Sequence, residues 1–107
     1  MDTTIICVVD QNDSDFAFRV KAEDADRAIE LSVRGLLAWY CAAHPEDWED
    51  DEDFTREDLE SFWDSGYADP ARILLDRHGI WYEDVDIEYD TDGEPCNVDR
   101  MVNYDFA

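Results

Sequence analysis

Basic residues are the scarcest feature of this chain. One lysine and seven arginines stand against thirty acids in 107 residues, a net charge of -22. A surface this negative excludes binding to free nucleic acid or to an anionic membrane. Glycine is scarce as well, four in all, and none forms a Gly-rich loop able to cradle a phosphate. The three cysteines, Cys7, Cys41 and Cys96, are odd in number and lack a paired spacing. That argues against a disulfide framework and for reduced thiols in a cytoplasmic protein. The first dozen residues have no basic start, and their apolar run is too short to span a bilayer, so they read as neither signal peptide nor anchor.

What is present argues for a folded core. Apolar residues make up 45% of the chain and fourteen residues are aromatic, more than a disordered acidic segment carries. The length suits one domain over residues 1–107. The acids are unevenly placed: residues 44–70 hold twelve acids and one base, and residues 83–99 hold eight acids and no base. Arg19, Lys21, Arg27 and Arg34 gather half of the bases into one stretch, which predicts a surface polarised in charge.

Periodicity places the elements. Thr3 to Val9 is a β-branched run that reads as a buried strand. Asp15 to Ala22 alternates, with Phe16, Phe18, Val20 and Ala22 on one face and Arg19 and Lys21 on the other. The turn cluster between the two runs makes them a hairpin. Asp24 is placed to cap a helix whose stripe runs through Ala25, Ala28, Ile29, Ser32, Val33, Leu36, Leu37, Tyr40 and Ala43, stopped by Pro45. Dense like charge over Glu46–Asp53 predicts a loop. Thr55 to Asp58 resembles a capping box, opening a second helix with Leu59, Phe62 and Trp63 inward. Asp69-Pro70 opens a third helix that ends at Gly79. Ile80 to Asp90 alternates again, with Trp81, Val85, Ile87 and Tyr89 on one face. Met101 to Phe106 is the last strand, with Val102, Tyr104 and Phe106 inward. The order β-β-α-α-α-β-β predicts an α+β fold: a four-stranded, mostly antiparallel sheet with helices packed on one face.

Four constellations bear on function. Glu88, Asp90, Asp92, Gly93 and Asp99 have nearly the spacing of an EF-hand calcium loop. However, its first position is Glu, its last is Asp, and its flanks read as strands rather than helices. The competing reading makes Asp92-Gly93 the turn of a long hairpin loop. Asp84, Asp86, Glu88 and Asp90, with Asp92 beyond them, form a row of carboxylates. Same-face residues of a strand are about 6.6–6.8 Å apart, close to the step between phosphates along a nucleic-acid strand. Such a row could attract Lys and Arg clusters built for phosphate. The third constellation is the acidic stretch Glu46, Asp47, Glu49, Asp50, Asp51, Glu52 and Asp53 around Trp48, continued by Glu57, Asp58, Glu60 and Asp64. Trp48 is either a hot-spot anchor within that ring or a residue tucked into the domain edge. Cys41 and His44, three apart on the first helix, lack the second pair that a zinc site needs. No pairing of nucleophile with base stands out, so neither catalytic residues, metal ligands nor a cofactor are assigned and the chain is read as non-enzymatic.

In size and acidity the chain resembles the small anti-defence proteins of phages and mobile elements, the anti-CRISPR and anti-restriction proteins. The likeness covers size and charge, with no motif matched residue by residue. It implies a non-enzymatic inhibitor in the host-cell cytoplasm that presents carboxylates in place of phosphates to the basic surface of a nucleic-acid-handling protein. The alternatives are a salt-adapted protein, a generic acidic interaction module of regulatory or immunity type, and a calcium-binding loop protein. An exposed edge strand also offers a means of pairing two copies.

Overall fold

In a computed structural model, described over residues 3–11 and 14–104, the chain forms an α+β fold with a four-stranded mixed sheet. Strand β1 spans Thr4–Gln11 and β2 spans Ser14–Lys21, paired antiparallel from Thr4↔Lys21 to Gln11↔Ser14. This is the expected hairpin; Asn12 and Asp13 of its turn lie outside the described residues. A 3-10 turn, Ala22–Asp24, leads into α1, Ala25–Cys41. Helices α2, Arg56–Phe62, and α3, Asp69–Arg77, follow, then β3, Tyr82–Asp84, and β4, Arg100–Tyr104.

The sheet order is β3-β2-β1-β4. β3 extends the hairpin antiparallel to β2, whereas β4 lies parallel to β1. Two of the three pairings are thus antiparallel, as expected, but the last two strands occupy opposite edges of the sheet, which corrects the long hairpin loop expected between them. Asp92-Gly93 does turn the chain, but within a small local ribbon. Tyr89 bridges to Pro95, Gly93 takes a positive φ of 82°, and the amide of Cys96 donates to the carbonyl of Glu88. Residues 85–99 thus carry the chain from one edge of the sheet to the other. Val8 faces away from the helices and yet has no exposed surface, as expected if this crossover shields the open face.

The core lies on the other face. Cys7 and Val9 of β1 and Phe16, Phe18 and Val20 of β2 meet Ala28, Ile29 and Leu36 of α1. Helix α1 is buried on a second side too, through Leu31, Gly35 and Ala38, which the single apolar stripe does not include. Gly35 allows α3 to cross at backbone distance: a Cβ added there would lie 2.4 Å from the Ala71 Cα. Helix α2 begins with the expected capping box, its Asp58 amide donating to Thr55 Oγ1 while Asp58 Oδ2 accepts from the Thr55 amide. Asp24 precedes α1 but makes no side-chain cap. Gly79 follows α3 at φ 69°, as expected of a helix end. Trp63 and Tyr104, expected inside, are exposed. Phe62 and Trp63 are consecutive on a helix, about 100° apart, and Phe62 takes the inward position against Phe54. Phe106 lies outside the described residues. Among the described residues no helix is long and apolar enough to cross a membrane.

Candidate partner-binding surface

The acids divide into those that build the chain and those left on its surface. In the stretch 46–58, Asp50 accepts from the Arg56 amide, and Asp51 accepts from the amides of both Asp53 and Phe54. These bonds fold the loop against the start of α2. Dense negative charge here is stabilising because it satisfies backbone donors that a loop otherwise leaves to water. Asp53 is buried, 7% exposed. Its carboxylate meets the Arg34 guanidinium on one oxygen and His78 Nε2 at 3.3 Å on the other. Arg27 Nη2 lies 3.4 Å from His78 Nδ1. Asp53 is therefore withdrawn from the contact surface proposed for it: its carboxylate faces the junction of α1, α3 and the acidic loop.

The row at 84–92 is similarly divided. Strand β3 ends at Asp84, so a regular strand face holds the first rung alone. Asp84 accepts from Arg72 Nε at 3.2 Å, and the same guanidinium reaches Asp69 at 2.8 Å. Burial opposes the charge on Arg72, but these two carboxylates more than offset it and raise its pKa above the ordinary arginine value. Asp90 folds back onto the amides of Asp92 and Glu94. Asp86, Glu88, Asp92 and Glu94 remain exposed, and among the described residues none of them is in an ion pair.

Among the described residues, the side-chain carboxylates that accept from backbone amides are those of Asp50, Asp51, Asp58, Asp69, Asp90 and Asp99, with no glutamate among them. A short arm can fold back on its own backbone, as in Asx turns, whereas the longer glutamate arm reaches out to solvent. The Asp-versus-Glu distinction was available in the sequence as a guide to which acids are structural. Glu46, Glu49, Glu52, Glu57 and Glu60 are accordingly exposed, together with Asp47. Glu46 lies 3.5 Å from His44 and Glu52 lies 3.6 Å from Arg34.

Trp48 is tucked in rather than presented. Its indole N–H donates to the Phe54 carbonyl at 3.2 Å, and its ring packs partly against the core. Trp63, 64% exposed beside Glu60 and Asp64, is an aromatic offered to solvent in this region. The calcium-like spacing does not become a loop of converging ligands. Asp90 is held by its own turn, and Asp99 Oδ2 accepts from the Ile6 amide at 2.8 Å. Among the described residues no group of three or more His, Cys, Asp and Glu is placed to hold a metal ion. Millimolar calcium should therefore raise Tm no more than equal magnesium, because both act by screening the same charge. A calcium-specific rise in a thermal melt would contradict this. All three thiols are free, and burial pushes the pKa of Cys7 and of Cys41 upward.

The bases of 19–34 do not form a positive patch. Arg19 pairs with Glu83, Arg27 with Glu30, and Arg34 with Glu52 and Asp53, and Lys21 is also engaged. Elsewhere Arg100 pairs with Asp26, Arg72 with Asp69 and Asp84, Arg56 donates to the Trp48 carbonyl and Arg77 to that of Asp53. Each base is thus occupied within the chain, while many acids are not. No protein-family model matches the chain, and neither a curated protein nor a solved structure matches it.

Proposed function

We propose that this chain is a non-enzymatic acidic inhibitor that binds the basic surface of a nucleic-acid-handling protein, of CRISPR-effector or restriction type, by presenting carboxylates in place of phosphates. The observation that carries this reading is the one-sided use of charge. All eight bases are engaged internally, and among the described residues most of the exposed acids left unpaired lie on two segments, 46–60 and 86–94. A surface without available cations repels nucleic acid and attracts proteins built to hold it. Asp86, Glu88, Asp92 and Glu94 form one arm of the contact; Glu46, Asp47, Glu49, Glu57 and Glu60 form the other, with Trp63 as an apolar contribution between charges.

The test is a variant carrying Asp86→Asn, Glu88→Gln, Asp92→Asn and Glu94→Gln. It leaves Asp84 and Asp90 in their structural bonds. Its melting temperature should equal or slightly exceed the parent's, since self-repulsion falls. Its affinity for a partner captured from host lysate at low salt should drop at least about tenfold, each exposed charge contributing a fraction of a kcal/mol. Unchanged affinity would remove this arm from the contact.

Salt separates this reading from a salt-adapted surface. Screening of self-repulsion is largely complete by about 1 M, where the Debye length is about 3 Å. Thermal stability should rise over the first few tenths molar of potassium chloride and then flatten. Continued gain at several molar would favour salt adaptation.

A further inference from the structure

A cleft in the acidic region lies at the end of α1. It is lined by Tyr40, Cys41, His44, Asp47 and Trp48, has a volume of about 190 Å³, and its walls are mainly apolar. Tyr40, 45% exposed, forms one wall. Trp48 also lines it, its indole held by the N–H bond to the Phe54 carbonyl. Asp47 is the carboxylate of its lining, and the exposed acids Glu46, Glu49 and Asp50 are its neighbours in sequence. An apolar ligand would gain from the walls and little from the rim. A lysine ammonium would gain from the rim but would have to shed tightly held water to enter. Arginine matches both parts. Its guanidinium is planar and weakly hydrated, stacks on aromatic faces, and binds carboxylates in a fixed fork, while its methylene stem covers apolar wall.

We propose that this cleft is a socket for an arginine side chain of the basic partner, seated between Tyr40 and Trp48 with its guanidinium directed to the Asp47 carboxylate. The proposal rests on the inhibitor reading above and adds to it an anchor point and a residue preference. A preference arising from surface carboxylates alone would not depend on Tyr40; one arising from this cleft would.

Nona-arginine and nona-lysine peptides serve as probes of equal charge, titrated into the whole chain at low salt and followed by calorimetry and by the Trp48 indole N–H signal in NMR. Nona-arginine should bind about three- to fivefold more tightly, the size of a cation–π contribution at a partly exposed site, and should shift the Trp48 signal to saturation. Tyr40→Ala should abolish the preference while leaving charge-driven binding of both peptides in place, whereas Asp47→Asn should abolish the preference and weaken both peptides. Circular dichroism should show both variants folded, since Tyr40 and Asp47 are exposed. Equal affinities in the parent, or a preference that survives Tyr40→Ala, would overturn the socket while leaving the inhibitor reading standing. Failure of both peptides to bind the parent at low salt would overturn both.

Discussion

Replacing Gly35 with alanine should destabilise the protein by about 3 kcal/mol, the upper part of the usual range for overpacking. Two effects oppose each other. Alanine is the better helix former by about 1 kcal/mol, so in an exposed helix the change would stabilise. Here the new methyl would lie 2.4 Å from both the nitrogen and the Cα of Ala71, and 2.8 Å from the Pro70 carbonyl carbon. Carbon atoms in contact sit about 3.5–4.0 Å apart. These neighbours are backbone and cannot rotate away, so α3 must move by on the order of an ångström, loosening the packing of Leu74 and Leu75. The melting temperature should fall by roughly 10–20 °C. A Gly35→Ala protein that melts at or above the parent's temperature would show that α1 and α3 do not cross here.

The second large effect is at Asp53. Asp53→Ala removes the acceptor that Arg34 and His78 share and leaves both without their buried partner. Breaking a buried ion pair from one side costs about 3–5 kcal/mol. Arg34 is one-third exposed and can recover some solvation, so about 3 kcal/mol is expected. Asp53→Asn keeps an oxygen for His78 and should lose roughly half as much. Asp86→Asn, on the open surface, should stay within about 0.5 kcal/mol of the parent. Chemical denaturation of the three variants measures the contrast. Equal stability of Asp53→Ala and Asp86→Asn would refute the division between structural and surface acids on which the contact surface rests.

Local patterns carried much of the fold. The β1–β2 hairpin, the extent of α1, the Thr55–Asp58 capping box and the glycine end of α3 each follow from residues close together in sequence, and each is present. Partnerships between distant segments were not legible. Alternation marks 80–90 and 101–106 as strands but does not say what they pair with. Asp92-Gly93 invited a hairpin between them, whereas their hydrogen bonds go to β2 and β1. Gly35 looks like a flaw in a helix until α3 is brought against it. The candidate site was legible as composition but not as geometry. Residues 46–53 read as uniform charge, yet Asp50 and Asp51 accept from backbone amides and Asp53 is buried against Arg34, while Asp47 and Glu49 stay at the surface. Charge periodicity cannot separate these roles, because the amide each carboxylate meets is set by how the loop closes onto α2.

The central claim is that this chain occupies the nucleic-acid-binding surface of a basic protein. A competition experiment tests it most directly. The protein captured on the immobilised chain at low salt is purified, and its Kd for the labelled chain is measured by fluorescence anisotropy with increasing amounts of the nucleic acid it handles. The prediction is competitive displacement, with apparent Kd rising in proportion to nucleic acid and rising steeply with salt. A ternary complex in which the nucleic acid and this chain bind the same protein together, with Kd unchanged, would contradict the account.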